Sequence, residues 1–211
     1  MYKLSKTSKM PGKSWSTPSS ECQTGALLSK IKDSVCSKCY AKRGSYMYPA
    51  VKTLRQNNYD HYIANPSNFF EEMKTIIQAE YLKTGVAYFR WFDSGDLYSM
   101  EMLIDIIRIA YALPHMVFWL PTKELTKLST VIKDLASRDI TIPDNLAIRL
   151  SVFMIDADYF TLDSHMKDVL QTRVISKDTT PLESEIVCYG DCISCNYACW
   201  DIRKNVAYVK H

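Results

Sequence analysis

Apolar residues recur along this chain in two alternating rhythms. Residues 49–64 carry Val51, Leu54, Tyr62 and Ile63 among polar neighbours, a spacing that predicts a helix, and Asn65-Pro66-Ser67 ends it. Ser67 then reads as the cap of a second helix, in which Phe70, Met73, Ile76, Ile77 and the run 79–82 repeat at helical spacing until Gly85. The pattern changes at 86–92, a short aromatic and β-preferring run that predicts a buried strand. Further buried strands are predicted at 116–120, 146–153 and 172–175, with helices at 99–112, from Pro121 to about Ser137, and around 158–169.

Strands alternating with helices specify a parallel sheet, because parallel neighbours need crossover connections. Four strands, with further candidates near the N-terminus and at 185–187, are too few for a closed eightfold barrel of about 250 residues. The expected fold is α/β, an incomplete parallel β/α barrel with a cysteine-rich C-terminal segment. A single domain over 1–211 is expected: an N-terminal segment at 1–46, the β/α part at 47–180 and the cysteine segment at 181–211.

Composition narrows the function classes. With 47% hydrophobic and 23% charged residues the chain is neither disordered nor fibrous. No apolar run is long enough to cross a bilayer, and the first 18 residues lack the apolar segment of a secretory signal. A cytoplasmic location without membrane contact is expected. The net charge of +3 implies no particular partner. Lys3, Lys6, Lys9 and Lys13 form the basic stretch, read first as a solvated segment and second as a phosphate contact for nucleic acid. No GxGxxG or GxxxxGK[ST] loop is present.

The cysteines change the picture most. Seven of them fall into two sets, Cys22, Cys36 and Cys39, then Cys188, Cys192, Cys195 and Cys199, with none between. In a reducing compartment such spacing points to metal rather than to disulfides. The compact C-terminal run fits a 4Fe–4S cluster better than structural zinc, which separates its two knuckles by a longer spacer. Three thiolates in the first set would leave one iron open. Two other arrangements remain: a zinc staple joining Cys36 and Cys39 to two C-terminal cysteines, or one cluster shared between the sets. His61, His115, His165 and His211 are scattered and read as non-ligands. Tyr40, Tyr46 and Tyr48 would shield the first set, and Trp200 the second.

In parallel α/β folds functional groups gather at the C-terminal ends of strands. There the chain carries Asp93, Ser94, Gly95 and Asp96, then Thr122, Lys123 and Glu124, then Asp156.

The segment from Leu4 to Cys22, the element Cys36-x2-Cys39-Tyr40-Ala41-x2-Gly44, the run Phe89-Arg90-x3-Ser94-Gly95-Asp96 and Cys192-x2-Cys195-x2-Ala198-Cys199-Trp200 resemble the phage gene product 88 family. The Cys-x2-Cys-Tyr-Ala element is also similar to a second phage family placed near the radical S-adenosylmethionine (SAM) enzymes. That resemblance implies a 4Fe–4S cluster on Cys22, Cys36 and Cys39 that binds SAM, and an auxiliary cluster on the four C-terminal cysteines. It implies that Ser94, Gly95 and Asp96 meet the SAM amino group, with Asp96 orienting it. Arg90, Lys123, Arg149 and Asp156 are then the candidates for contact with a substrate, and Asp96 and Lys123 are the catalytic candidates. The long insertion between Cys22 and Cys36 departs from the usual CxxxCxxC spacing. Outside this reading stand a non-enzymatic electron-transfer or sensing protein with a redox partner, and a zinc-stapled interaction module.

Overall fold

The structure is a computed structural model, described here for residues 1–7, 9–192 and 195–210. Its frame is one eight-stranded sheet of β1 (Ser5–Lys6), β2 (Lys13–Trp15), β3 (Tyr88–Trp91), β4 (Val117–Thr122), β5 (Leu146–Ser151), β6 (Leu170–Ile175), β7 (Glu185–Cys188) and β8 (Asn205–Val209). The strands lie in the order β1-β2-β3-β4-β5-β6-β8-β7. Only β1 is antiparallel to its neighbour; every other pairing is parallel. The edges, β1 and β7, are not joined to each other, so the sheet is open rather than closed.

Alternation along the strands sorts side chains to two faces. Phe89 and Trp91 of β3, Phe118 and Leu120 of β4, and Leu146, Ile148 and Leu150 of β5 enter one core cluster. Helices α2 (Pro49–Ala64), α3 (Phe69–Thr84), α4 (Met100–Ala112) and α5 (Leu125–Ser137) supply the other half of that core, through residues such as Tyr62, Met73, Ile106 and Leu128. Trp15, Phe69, Trp91 and Phe118 are wholly buried there. Each such side chain contributes roughly 1.5–3 kcal/mol by leaving water.

Local signals fix the helix ends. Pro49 occupies the first turn of α2, where its missing N–H costs nothing. The Ser99 hydroxyl caps α4 by accepting from the Met102 amide at 3.1 Å. Gly85 closes α3 with φ +69° while its amide donates to the Tyr81 carbonyl.

Three expectations need correction. Ser67 does not cap α3; that position falls to Asn68, without a side-chain bond. Pro121 lies inside β4 rather than opening α5. It is tolerated because the β3 pairing of β4 ends at Trp119, leaving one side of the strand unpaired beyond it. No helix forms around 158–169, only a single turn at Ser164–Met166. The Gln171 side chain bonds both the amide and the carbonyl of Phe160, and the Phe160 ring packs on Phe153, which hold the segment extended.

The opposite face of the sheet presents Tyr88, Arg90, Val117, Trp119 and Arg149. Against it lies the connection from β7 to β8, whose Cys192, Tyr197, Cys199 and Trp200 pack with Trp119, Tyr88 and Val117. Among the described residues no helix is long and apolar enough to cross a membrane.

Candidate functional site

Each cysteine set is assembled by contacts from distant parts of the chain. Cys22 precedes the six-residue helix α1 (Gln23–Leu28). Thr24 in its first turn ties α1 to the loop after β4, because the buried Glu124 carboxylate accepts from both the amide and the hydroxyl of Thr24 at 3.0 Å. Cys36 lies in the turn Val35–Lys38 and Cys39 just beyond it; the Ser34 hydroxyl caps that turn by accepting from Ser37 at 3.0 Å. The Val35 amide donates to Phe153 and the Ile155 amide to Asp33, which dock the loop where β5 ends. The first set thus stands over the C-terminal ends of the central strands, as the fold class favours.

Gly25 holds the thiols' common space open. A methyl group on it would lie 3.6 Å from the Cys36 sulfur and 3.7 Å from the Cys22 sulfur, tight against the Cys22 Cβ at 3.0 Å. Burial pushes the Cys22 thiol well up, and Asp96, Cys39 and Cys36 add to it. Burial also raises Cys36, against the opposing pull of Lys123, with Cys39 and Asp96 adding. Thiols raised as Cys22 and Cys36 are keep their protons unless a cation replaces them.

Asp96 and Lys123 flank this set. Burial lifts the Asp96 carboxyl to about 6, against bonds from the Thr122 hydroxyl and the Lys123 and Leu97 amides at 2.7–2.9 Å. Burial lowers Lys123, while Cys36, Asp96, Cys39 and Cys22 hold its charge. Ser94 and Gly95 are used differently. The buried Ser94 accepts at its carbonyl from the Thr17 amide, and Gly95, at φ +83°, lies so close to Thr17 that a Cβ would stand 2.0 Å from its hydroxyl. Both join the loop to Thr17, just beyond β2.

The second set occupies the β7–β8 connection, with Cys188 ending β7. Ile193 and Ser194 lie outside the described residues. Burial raises the Cys188 and Cys192 thiols, and the neighbouring Cys195 adds to both. Burial pushes Cys199 up to about 12, although its sulfur lies 3.2 Å from the Tyr208 hydroxyl, which opposes the shift. Trp200 covers this set as expected: its indole N–H donates to the Phe89 carbonyl at 3.0 Å and its ring meets Trp119 edge-on at 5.1 Å.

The substrate-contact candidates separate. Arg149 is fully buried, and its guanidinium donates to the carbonyls of Cys199, Ala198, Lys204 and Asp201, so it is a clamp on the second cysteine loop and reaches no ligand. Asp156 sits in an exposed turn, accepting from Ser176 and Thr179 at 2.6 Å, away from the thiols. Arg90 lies between the sets: it donates to the Tyr40 hydroxyl at 3.0 Å, stacks 4.2 Å over Trp119 and partly opposes the rise that burial imposes on the Cys192 thiol. Sequence reasoning missed the anchoring role of Glu124, and the buried Arg55–Asp93 pair at 2.9 Å whose Asp93 also accepts from Ser16. A buried acid next to a buried arginine 38 residues earlier leaves no local pattern to read.

Among the described residues no group of three or more His, Cys, Asp or Glu side chains is drawn together closely enough to hold a metal ion as they stand. The thiols that bear on Cys22, Cys36, Cys188, Cys192 and Cys199 are those of their own set. The gene product 88 family matches residues 3–191. The chain belongs to the gene product 88 family. The match takes in the first three cysteines and Cys188 and stops before Cys192. No curated protein and no solved structure matches, and nothing in these comparisons supports the likeness to radical SAM enzymes.

Proposed function

We propose that the chain is an iron–sulfur protein with an open, reactive cluster site on Cys22, Cys36 and Cys39 and a closed one on Cys188, Cys192, Cys195 and Cys199. The observation that carries this reading is the closeness of the Cys22 and Cys36 sulfurs to Gly25, with Cys39 just beyond the turn that carries Cys36 and with the charges of Asp96 and Lys123 acting on both thiols, where the central strands end. Such a cluster supplies one-electron chemistry when bound and, on three protein ligands, leaves one iron for an outside ligand.

The residues around the first set suit a zwitterionic ligand. Asp96 offers a carboxylate to an ammonium group and Lys123 an ammonium to a carboxylate. The amino-acid end of SAM, the ligand implied by the cysteine motif, has that charge pattern. Glu124 positions Cys22 through Thr24, while Trp119 and Trp200 keep water from the second set. The winding supports a partial barrel for this chemistry, since β2 to β6 follow one another in chain order with α3, α4 and α5 packed on one face.

Zinc on the four C-terminal thiols is the second reading. It is favoured by the burial of Cys188 and Cys199 and by the count of four thiols, which fills a tetrahedral site.

Anaerobic purification with measurement of iron, sulfide and zinc tests the proposal. About eight irons with matching sulfide are expected, falling to about four in Cys36→Ala and in Cys192→Ala, as each four-iron cluster requires. SAM binding to the iron-loaded protein, measured by equilibrium dialysis and weakened in Lys123→Gln, tests the finer assignment. A colourless protein with stoichiometric zinc and no iron overturns the redox reading.

A further inference from the structure

The surface beside the first cysteine set carries a charge excess that the rest of the molecule does not answer. Between residues 26 and 48 lie Lys30, Lys32, Lys38, Lys42 and Arg43, all exposed, against one acid, Asp33. None of the five forms an ion pair among the described residues. In the basic N-terminal stretch Lys13 lies in β2 and pairs with Glu80 at 3.8 Å.

Aromatic rings are interleaved with these cations. Tyr40 is 55% exposed although its hydroxyl is anchored, donating to the Asp93 carbonyl at 2.8 Å and accepting from Arg90 at 3.0 Å. A ring fixed at its polar tip and open over its body is a rigid platform. Tyr46 buttresses it edge-on at 5.4 Å, with the Arg55 guanidinium 4.4 Å over the Tyr46 ring. Tyr48, 64% exposed, continues the surface where α2 begins. The turns Tyr40–Lys42 and Gly44–Met47 pack on each other, and the second packs on α2, so the surface is continuous.

We propose that this surface binds single-stranded nucleic acid, with the lysines and Arg43 on phosphates and Tyr40 and Tyr48 stacking against unpaired bases. Bases stack on exposed rings only when freed from a duplex, which favours a single strand. Lysine supplies four of the five cations, and lysine is depleted at protein–protein interfaces, which disfavours an acidic protein. An anionic membrane is disfavoured because α1, the one α-helix within the patch, has six residues and cannot lie as an interfacial helix. The surface stands independently of whether the neighbouring thiols hold iron.

Fluorescence anisotropy with a labelled DNA or RNA strand of about 20 nucleotides, titrated with the full-length protein as purified, is the test. Affinity is expected to fall steeply between about 50 and 200 mM salt. Lys38→Glu/Lys42→Glu/Arg43→Glu is expected to weaken binding at least roughly tenfold and to reduce the salt slope by about 2, the share of three phosphate contacts on a single strand. Tyr48→Ala is expected to weaken binding about fivefold or more with the slope unchanged. A control, Lys3→Glu/Lys6→Glu/Lys9→Glu, keeps most of the affinity. No binding of the strand, loss only in the N-terminal control, no effect of Tyr48→Ala, or equal competition by polyphosphate or phosphatidylserine vesicles would each overturn the proposal.

Discussion

Replacing Arg149 with methionine tests whether a buried cation holds the second cysteine loop on the sheet. The guanidinium is wholly inside the protein, and its hydrogen-bond partners are four backbone carbonyls, those of Cys199 and Ala198 at 2.9 and 2.8 Å, of Lys204 at 2.8 Å, and of Asp201. Burial accordingly lowers its pKa, offset in part by Tyr208 and Cys199. A charged hydrogen bond is worth about 1.5–3 kcal/mol, and a buried acceptor left bare costs about 1–3 kcal/mol, but four bonds to one group do not add. Recovery of the cost of burying the charge offsets part of the loss. The net expectation is a destabilisation of about 3–5 kcal/mol, the range found when a buried charge network is broken. For a chain of this size that lowers Tm by roughly 6–20 °C. Urea unfolding followed by near-ultraviolet circular dichroism measures it, with tryptophan fluorescence reporting the Trp200 environment. Arg149→Lys recovers only part of the stability, because an ammonium has three donors in place of five. A methionine variant within about 1 kcal/mol of the parent, or a lysine variant equal to it, would refute the clamp.

Three further outcomes are expected. Gly95→Ala costs about 1–3 kcal/mol from its positive φ alone, and more from displacing Thr17, read as a lower urea midpoint. Glu124→Ala, which strands the Thr24 donors and Lys127, destabilises by about 3 kcal/mol and speeds alkylation of Cys22 in the metal-free protein without changing that of Cys195. Burial pushes Glu185 up, but Arg173, held by two bonds at 2.8 and 3.0 Å, the Tyr159 hydroxyl and the Leu182 amide together bring it below its ordinary value near 4.5. Its folded pKa being depressed, its contribution is full above that value and is lost as pH falls through the folded pKa. Stability measured from pH 6 downward should therefore drop more gently in Arg173→Met than in the parent below about pH 4.5.

The helix-facing half of this fold is readable from residue order because its code is local. Phe89 and Trp91, or Ile148 and Leu150, alternate with residues of the other face, and α3, α4 and α5 repeat at helical spacing. Glu185 begins the expected strand, and Trp200 covers the second cysteines. Strand β8 was not anticipated. Its alternation, Asn205 to Val209, is too short to distinguish from loop, and its place between β6 and β7 is set by partners far along the chain. The cysteine sets were visible as spacings, whereas the commitments of nearby side chains were not. Nothing near Arg149 in sequence shows that it will face backbone carbonyls 49–55 residues later, and Ser94 and Gly95 have the composition of a ligand loop while their contacts go to Thr17.

The bond from Trp200 to the Phe89 carbonyl spans 111 residues. Closing a loop of that length costs about 4 kcal/mol of chain entropy beyond a constant, and nothing on the second face repays it until the β7–β8 connection has come back to the sheet. From α2 to β5 the helix-covered core has no such requirement, since its strands and helices alternate in order and meet neighbours close in sequence; β2, whose Trp15 pairs with Trp91, joins it from afar. The two faces therefore form at different times, the helical one first. During that interval the strands have largely been laid down while the four C-terminal thiols are still dispersed and accessible. If the second cysteine set takes metal as proposed, a metal carrier would meet the chain in this half-built condition, and filling that set would be the event that shuts the sheet's open face.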